Sequence, residues 1–194
     1  KEHIVPLQKE LLEHRRKELG IEQLKPYDTE AEPLGRKALQ PFANGEEMLQ
    51  KSIAVFSKLR PYFGECLSVM QTMGRMDLDS RMGKAPGGYN CPLPETGVPF
   101  IFMNAAGTVN DLITMMHEGG HAVHSFLSHD LPLSAMKEYR MEIAELASMS
   151  MELFTLEHWQ DFFETKEEFI RAQWEEMERV IDVLPWIAII DKFQ

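Results

Sequence analysis

A mainly α-helical chain with a small irregular β region ahead of its most informative helix is the fold class this sequence predicts. Three observations carry the prediction. Apolar residues recur at helical spacing along most of the 194 residues. Helix-start signals stand at Asn44, Thr108 and Thr165, each followed three residues later by an acidic side chain. Glycine and proline crowd into one stretch, 77–104, where Gly83, Pro86, Gly87, Pro92 and Pro99 forbid long helices.

Taken in order, residues 2–19 are amphipathic, with Leu7, Leu11, Leu12 and Leu19 at helical spacing and Gly20 as a stop. Residues 25–34 form a loop by their proline and charge content. Asn44 with Glu47 opens a helix to about Leu59, Pro61 breaks the pattern, and a second helix runs to about Met76. Phe100-Ile101-Phe102-Met103 is the strand candidate, and Pro99 confines it to a sheet edge or a strand start. An edge strand there could pair with an extended peptide; an ordinary hairpin strand is the alternative. Thr108 and Asp111 cap a helix to about Leu127, Leu131-Pro132-Leu133 is a loop, and one long helix is expected over 136–159. Thr165 and Glu168 start another, ending near Leu184, and Pro185 suits the first turn of a final helix.

Charge and composition narrow the function classes. A formal charge of −11 and a pI near 5.1 argue against nucleic acid and anionic membrane partners. The acidic residues are spread along helical segments and read as a solvated face. Only Cys66 and Cys91 occur, without a C-x-x-C framework, so a reducing cytoplasmic location is expected, a single disulfide being the alternative. No apolar run reaches the roughly 20 residues of a membrane span. Nothing in the sequence fixes an oligomeric state. Lys1 opens directly into a helical pattern and Gln194 closes an apolar-periodic one, so residues 1–194 are expected to be part of one helical domain truncated at both ends.

The chemistry concentrates in His117-Glu118-Gly119-Gly120-His121, an H-E-x-x-H motif within the helix capped at Thr108. Imidazoles at i and i+4 lie about one turn apart on one helix face and can reach one tetrahedral zinc ion. Glu118, next to the first histidine, can take a proton from a water molecule at that metal. Two mid-helix glycines, each costing about 1 kcal/mol relative to alanine, point to a close approach by another backbone or a substrate. A catalytic zinc takes three protein ligands, and the following helix offers Glu142 and Glu145; spacing leaves both open. His124 shares the face but lies about 10 Å along the axis from His117, which suits packing or support of a ligand rather than ligation. Glu152 can orient a motif histidine or sit in a surface salt bridge. The thirteen methionines read as adaptable core filler.

The stretches His117 to Leu127, Ile143-Ala144-Glu145-Leu146-Ala147-Ser148, Leu184-Pro185-Trp186 and Ile190 to Gln194, with Gly87-Gly88-Tyr89, Phe100-Ile101 and Asn104 ahead of them, resemble the thimet oligopeptidase family of zinc metallopeptidases. The likeness is strong over the second half; residues 1–76 match only in helical character. It implies a helical metallopeptidase catalytic-domain fragment, zinc held by His117, His121 and Glu145, and Glu118 as general base. It further implies short peptide substrates, cleaved internally in the cytoplasm. Members of that family also carry a histidine and tyrosines further along that hold substrate and stabilise the oxyanion. The 194 residues are therefore expected to take up zinc yet cleave peptides more slowly than a longer parent, and to expose apolar surface along 186–193. The alternative is a non-catalytic helical metal-binding or scaffold protein retaining the motif, against which the presence of Glu118 argues.

Overall fold

The computed structural model describes residues 2–29, 31–32 and 34–194. They form two compact units. Residues up to Ala38 with Ile170–Gln194 make the first, and Leu39–Phe169 make the second. Among the described residues, seven α-helices and three strands run in the order α1 (Ile4–Glu18), α2 (Gly45–Leu59), α3 (Pro61–Thr72), β1 (Met76–Asp79), β2 (Tyr89–Cys91), β3 (Phe100–Ala105), α4 (Val109–Ser128), α5 (Ser134–Lys137), α6 (Met141–Thr155) and α7 (Lys166–Phe193). A 3₁₀ turn, Leu156–Phe162, follows α6. The mainly helical fold with a small sheet ahead of the motif helix is thus borne out. The expected loop over 25–34 has no helix or strand among its described residues; Glu30 and Pro33 lie outside them.

In the first unit, α1 stops where expected, at Gly20 (φ +65°), whose N–H donates to the Lys17 carbonyl while Ile21 N–H donates to that of Arg16. Arg15 reaches Glu178 at 2.7 Å and Gln8 reaches Asp182 at 3.0 Å, joining α1 to α7. Trp186, Ile187, Ile189 and Phe193 are exposed on α7, the apolar surface the sequence led us to expect.

The core of the second unit is built by Phe56, Leu67, Met70, Ile101, Met103, Leu112, Met115, Met116 and Trp159, all essentially without solvent contact. Four of these nine side chains are methionine, so the reading of methionine as core filler holds here. Helices α2 and α3 pair with each other, α4 packs mainly on α6, and the sheet lies against α4. Trp159 Nε1 donates to Thr155 Oγ1 at 3.1 Å, which satisfies the one polar atom this ring buries. Both cysteines are free, and burial pushes the Cys66 thiol up to about 11.

Four expectations need correction. The helix after Pro61 ends at Thr72, because Gly74 (φ +62°) closes it: Gly74 N–H donates to the Gln71 carbonyl and Arg75 N–H to that of Met70. Residues 76–79 are released to become β1. Of the two readings of Pro99, strand start and sheet edge, Phe100–Ala105 meets the first and not the second. The sheet order is β1-β3-β2, with β1 parallel and β2 antiparallel to β3, so β3 is paired on both sides, Pro99 merely precedes its start, and the open edge by the motif helix belongs to β2. The single helix expected over 136–159 is broken, since Glu138 (ψ 119°) and Arg140 (ψ 154°) are extended between α5 and α6, and the last turns tighten to 3₁₀. Finally, α7 runs through Pro185 rather than restarting there. Proline forfeits one backbone hydrogen bond, and the helical sequence on both sides carries the helix past it.

The caps are where the sequence puts them. Asp111 N–H donates to Thr108 Oγ1 at 3.2 Å while Thr108 N–H donates to the Asp111 carboxylate at 2.9 Å, a complete capping box that fixes the start of α4. Glu168 and Thr165 repeat it. Asn44 caps Glu47 N–H, but the Glu47 carboxylate turns to Ala43 N–H instead of completing the box.

Candidate metal centre

Two helices build the site. From α4 come His117, Glu118 and His121; from α6 come Glu145 and Glu152. Their crossing is close because Gly120 has no side chain there. A Cβ on Gly120 would lie 2.8 Å from Ser148 Cα and 3.1 Å from the Ala147 carbonyl oxygen. The glycine therefore admits the α6 backbone one turn from Glu145. A Cβ on Gly119 would lie 2.6 Å from the Phe56 ring. Close approach, inferred from the sequence, is thus met by a backbone at one glycine and by a core ring at the other. Gly120→Val is expected to destabilise the fold by about 3 kcal/mol through overpacking against a backbone that cannot yield locally. Denaturant unfolding of the variant checks this.

With the helices so placed, Glu145 Oε2 is 3.3 Å from His117 Nε2 and Glu145 Oε1 is 3.7 Å from His121 Nε2. The two imidazoles stand edge to face, centroids 4.8 Å apart. One donor atom from each of the three residues lies within 4.8 Å of the others. Zinc–ligand bonds of about 2.0–2.2 Å in a tetrahedral site set donors roughly 3.4 Å apart, so two imidazole nitrogens and a carboxylate oxygen at these separations fit zinc. Glu142, the other carboxylate the sequence left open, is largely exposed and its nearest cation is Arg140 at 3.9 Å. His124 does not join the group; its ring stacks on Tyr139.

Glu152 is buried, and its Oε1 lies 2.5 Å from His117 Nδ1. A carboxylate there keeps the proton on Nδ1 and turns the Nε2 lone pair toward Glu145 and His121. Burial opposes a charged His117, but the Glu152 hydrogen bond and the negative charges of Glu152, Glu118 and Glu145 outweigh it, and the pKa rises. His121, lacking such a partner, is pushed down by burial and by His117. Glu152→Gln is expected to weaken zinc binding about 10–100-fold, with competitive chelator titration as the readout.

Glu118 sits beside these donors without joining them. It is 6% exposed, and among the described residues no hydrogen-bond partner reaches its buried Oε2. Burial raises its pKa; His117 opposes the shift, Glu145 adds to it, and the Asn90 backbone N–H favours the charged form. Both imidazoles, Glu118 and Glu145 open onto a cleft of about 600 Å³. One side is the strand edge and its following loop, Gly88 to Pro99; the other is the end of α4 and the segment from Ser134 to Tyr139. His129 presses on Gly97, where a Cβ would lie 2.4 Å from the ring and φ is +68°. The sequence reading missed these walls. Gly97 was the signal available for one of them, whereas nothing local marked Tyr139.

A helical fold presenting a motif histidine pair, a third carboxylate donor and a buried carboxyl group in a cleft defines a candidate metal centre. The pattern of peptidase family M3 matches residues 1–185, and the chain belongs to that family. Within it, the chain is similar to an oligoendopeptidase F homolog of Lactococcus lactis subsp. lactis, 30% identical over 149 residues, covering 76% of this chain and 24% of the relative. It is also similar to the group B oligopeptidase PepB of Streptococcus agalactiae, 29% identical over 150 residues, covering 77% of this chain and 24% of that one. Among solved structures, a PZ peptidase A with an inhibitor matches with a TM-score of 0.88 and 32% identity, over 99% of this chain and 34% of that chain. The resemblance read from the motif stretches is thereby borne out. The chain spans about a quarter of the length of the curated relatives it matches.

Proposed function

We propose that these residues are the metal-bearing part of a longer helical catalytic domain, a zinc endopeptidase that hydrolyses internal bonds of short peptides in the cytoplasm. The observation that carries the reading is the juxtaposition of His117, His121 and Glu145 with the buried, half-unpartnered carboxyl of Glu118 at the floor of one cleft. Zinc held by the three residues supplies Lewis acidity to the scissile carbonyl and lowers the pKa of water towards neutrality. Glu118 accepts a proton from the attacking water at Oε2 and later passes it to the departing amine. Its raised pKa suits that exchange, because a carboxyl nearer neutrality both takes and returns a proton. Glu152 holds the His117 ring in the orientation that ligation needs. Strand β2, whose outer edge has no neighbouring strand among the described residues and whose Tyr89 and Asn90 line the cleft, offers its backbone to an extended peptide. Among the described residues, no helix is long and apolar enough to cross a membrane.

Metal analysis combined with cleavage of an internally quenched peptide, on the 194 residues and on a longer chain containing them, tests the reading. One zinc per chain with internal cleavage by the longer chain supports it. Stoichiometric zinc with no cleavage by either would favour the non-catalytic metal-binding alternative.

A further inference from the structure

The segment between α4 and α6 forms one wall of the cleft, yet little ties it down. Helix α5 has no buried residue, and the backbone hydrogen bonds along 129–136 are local, such as Leu131 N–H to the Ser128 carbonyl and Met136 N–H to that of Leu133. Among the described residues, no side-chain hydrogen bond or ion pair joins 130–139 to another element. Its anchor is a ring contact. Tyr139 stacks on His124 with centroids 4.1 Å apart and planes 22° from parallel. The extended residues Glu138 and Arg140, which break the helix expected here, are what turn Tyr139 back onto α4. His124 is half-buried, and its Nδ1 is shielded from solvent with no hydrogen-bond partner among the described residues, so at that atom the ring is packed rather than bonded.

We propose that His124 and Tyr139 are positioning residues: their stack fastens the 129–140 segment to the zinc-motif helix, and so holds the wall bearing Ser134, Lys137 and Glu138 against the peptide. Its kinetic consequence rests on the peptidase reading above; its structural consequence does not. Losing the stack lets the wall swing away, which weakens substrate binding while the metal donors on α4 and α6 stay in place. A phenylalanine at position 124 keeps a ring of similar breadth and gives up a nitrogen that has no partner, so stacking survives it.

Two readouts test this on the zinc-supplied protein. In limited trypsin digestion followed by mass spectrometry, His124→Ala and Tyr139→Ala are expected to speed cleavage after Lys137 and Arg140 about 10-fold, as local opening becomes more populated. His124→Phe and Tyr139→Phe should match the parent. In peptide cleavage, His124→Ala is expected to raise KM about 5–10-fold with kcat within about twofold and zinc content unchanged, and His124→Phe to restore KM. Unchanged trypsin rates in the alanine variants, a phenylalanine variant as defective as alanine, or a fall in kcat at constant KM would overturn the proposal. The Tyr139 variants alter an exposed segment and keep the test valid even where His124→Ala fails to fold. If the parent cleaves no peptide, the peptidase reading fails, and the trypsin comparison alone decides the stack.

Discussion

Glu118→Gln is expected to leave zinc content and unfolding midpoint close to those of the parent and to lower kcat about 10²–10⁴-fold, the usual worth of a positioned general base. Glutamine preserves the length and shape of the side chain in a position only 6% exposed, so packing changes little. The donor group of His117, His121 and Glu145 does not include Glu118, so metal retention follows. What disappears is the proton acceptor, because the amide cannot take a proton from water at neutral pH. The effect should fall on kcat rather than KM, since the acceptor acts in the transition state and not in holding the peptide. Steady-state kinetics on the longer chain, with metal analysis of the same preparation, provide the check; turnover within about tenfold of the parent would remove Glu118 from its role.

The separation of Glu118 from the ligands was legible because helix geometry fixes where i, i+1 and i+4 point. The same geometry made α4 and its capping box readable at Thr108 and Asp111, and two mid-helix glycines announced a close crossing before any partner was known. Information that depends on the partner was not legible. Glu142 and Glu145 differ by one turn on a helix whose rotation is set by the packing of Ser148 on Gly120, a tertiary contact, and only family resemblance separated them in the sequence. The sheet order likewise depends on β1, which was hidden because Gly74 ends α3 earlier than the apolar pattern suggests. The break at Glu138 and Arg140 carries no proline or glycine. Local propensity favours a continuous helix there, and the alternative becomes visible only with Tyr139 seated on His124.

Glu145→Ala is expected to weaken zinc binding by more than the roughly 100-fold that losing a supporting carboxylate such as Glu152 can cost, because it removes one of three donors. Two imidazoles on one helix remain and can still capture the ion weakly, so the variant should bind zinc but lose it to a chelator the parent resists. Cleavage falls in parallel at limiting zinc. Glu142→Ala supplies the comparison: its carboxylate is largely exposed, its ion pair with Arg140 spans 3.9 Å, and its removal should change stability by no more than about 0.5 kcal/mol with zinc affinity intact. Thermal unfolding with and without zinc separates affinity from folding. A ligand that binds only the native state raises stability by RT ln(1 + [L]/Kd), so the zinc-dependent rise in Tm should shrink in Glu145→Ala while the metal-free Tm stays near that of the parent. The reverse pattern, with Glu142→Ala losing the zinc-dependent rise and Glu145→Ala keeping it, would transfer the third ligand to Glu142. It would also mean that α6 shifts along its axis by nearly one turn on binding the ion, which the contact between Gly120 and the Ser148 backbone opposes.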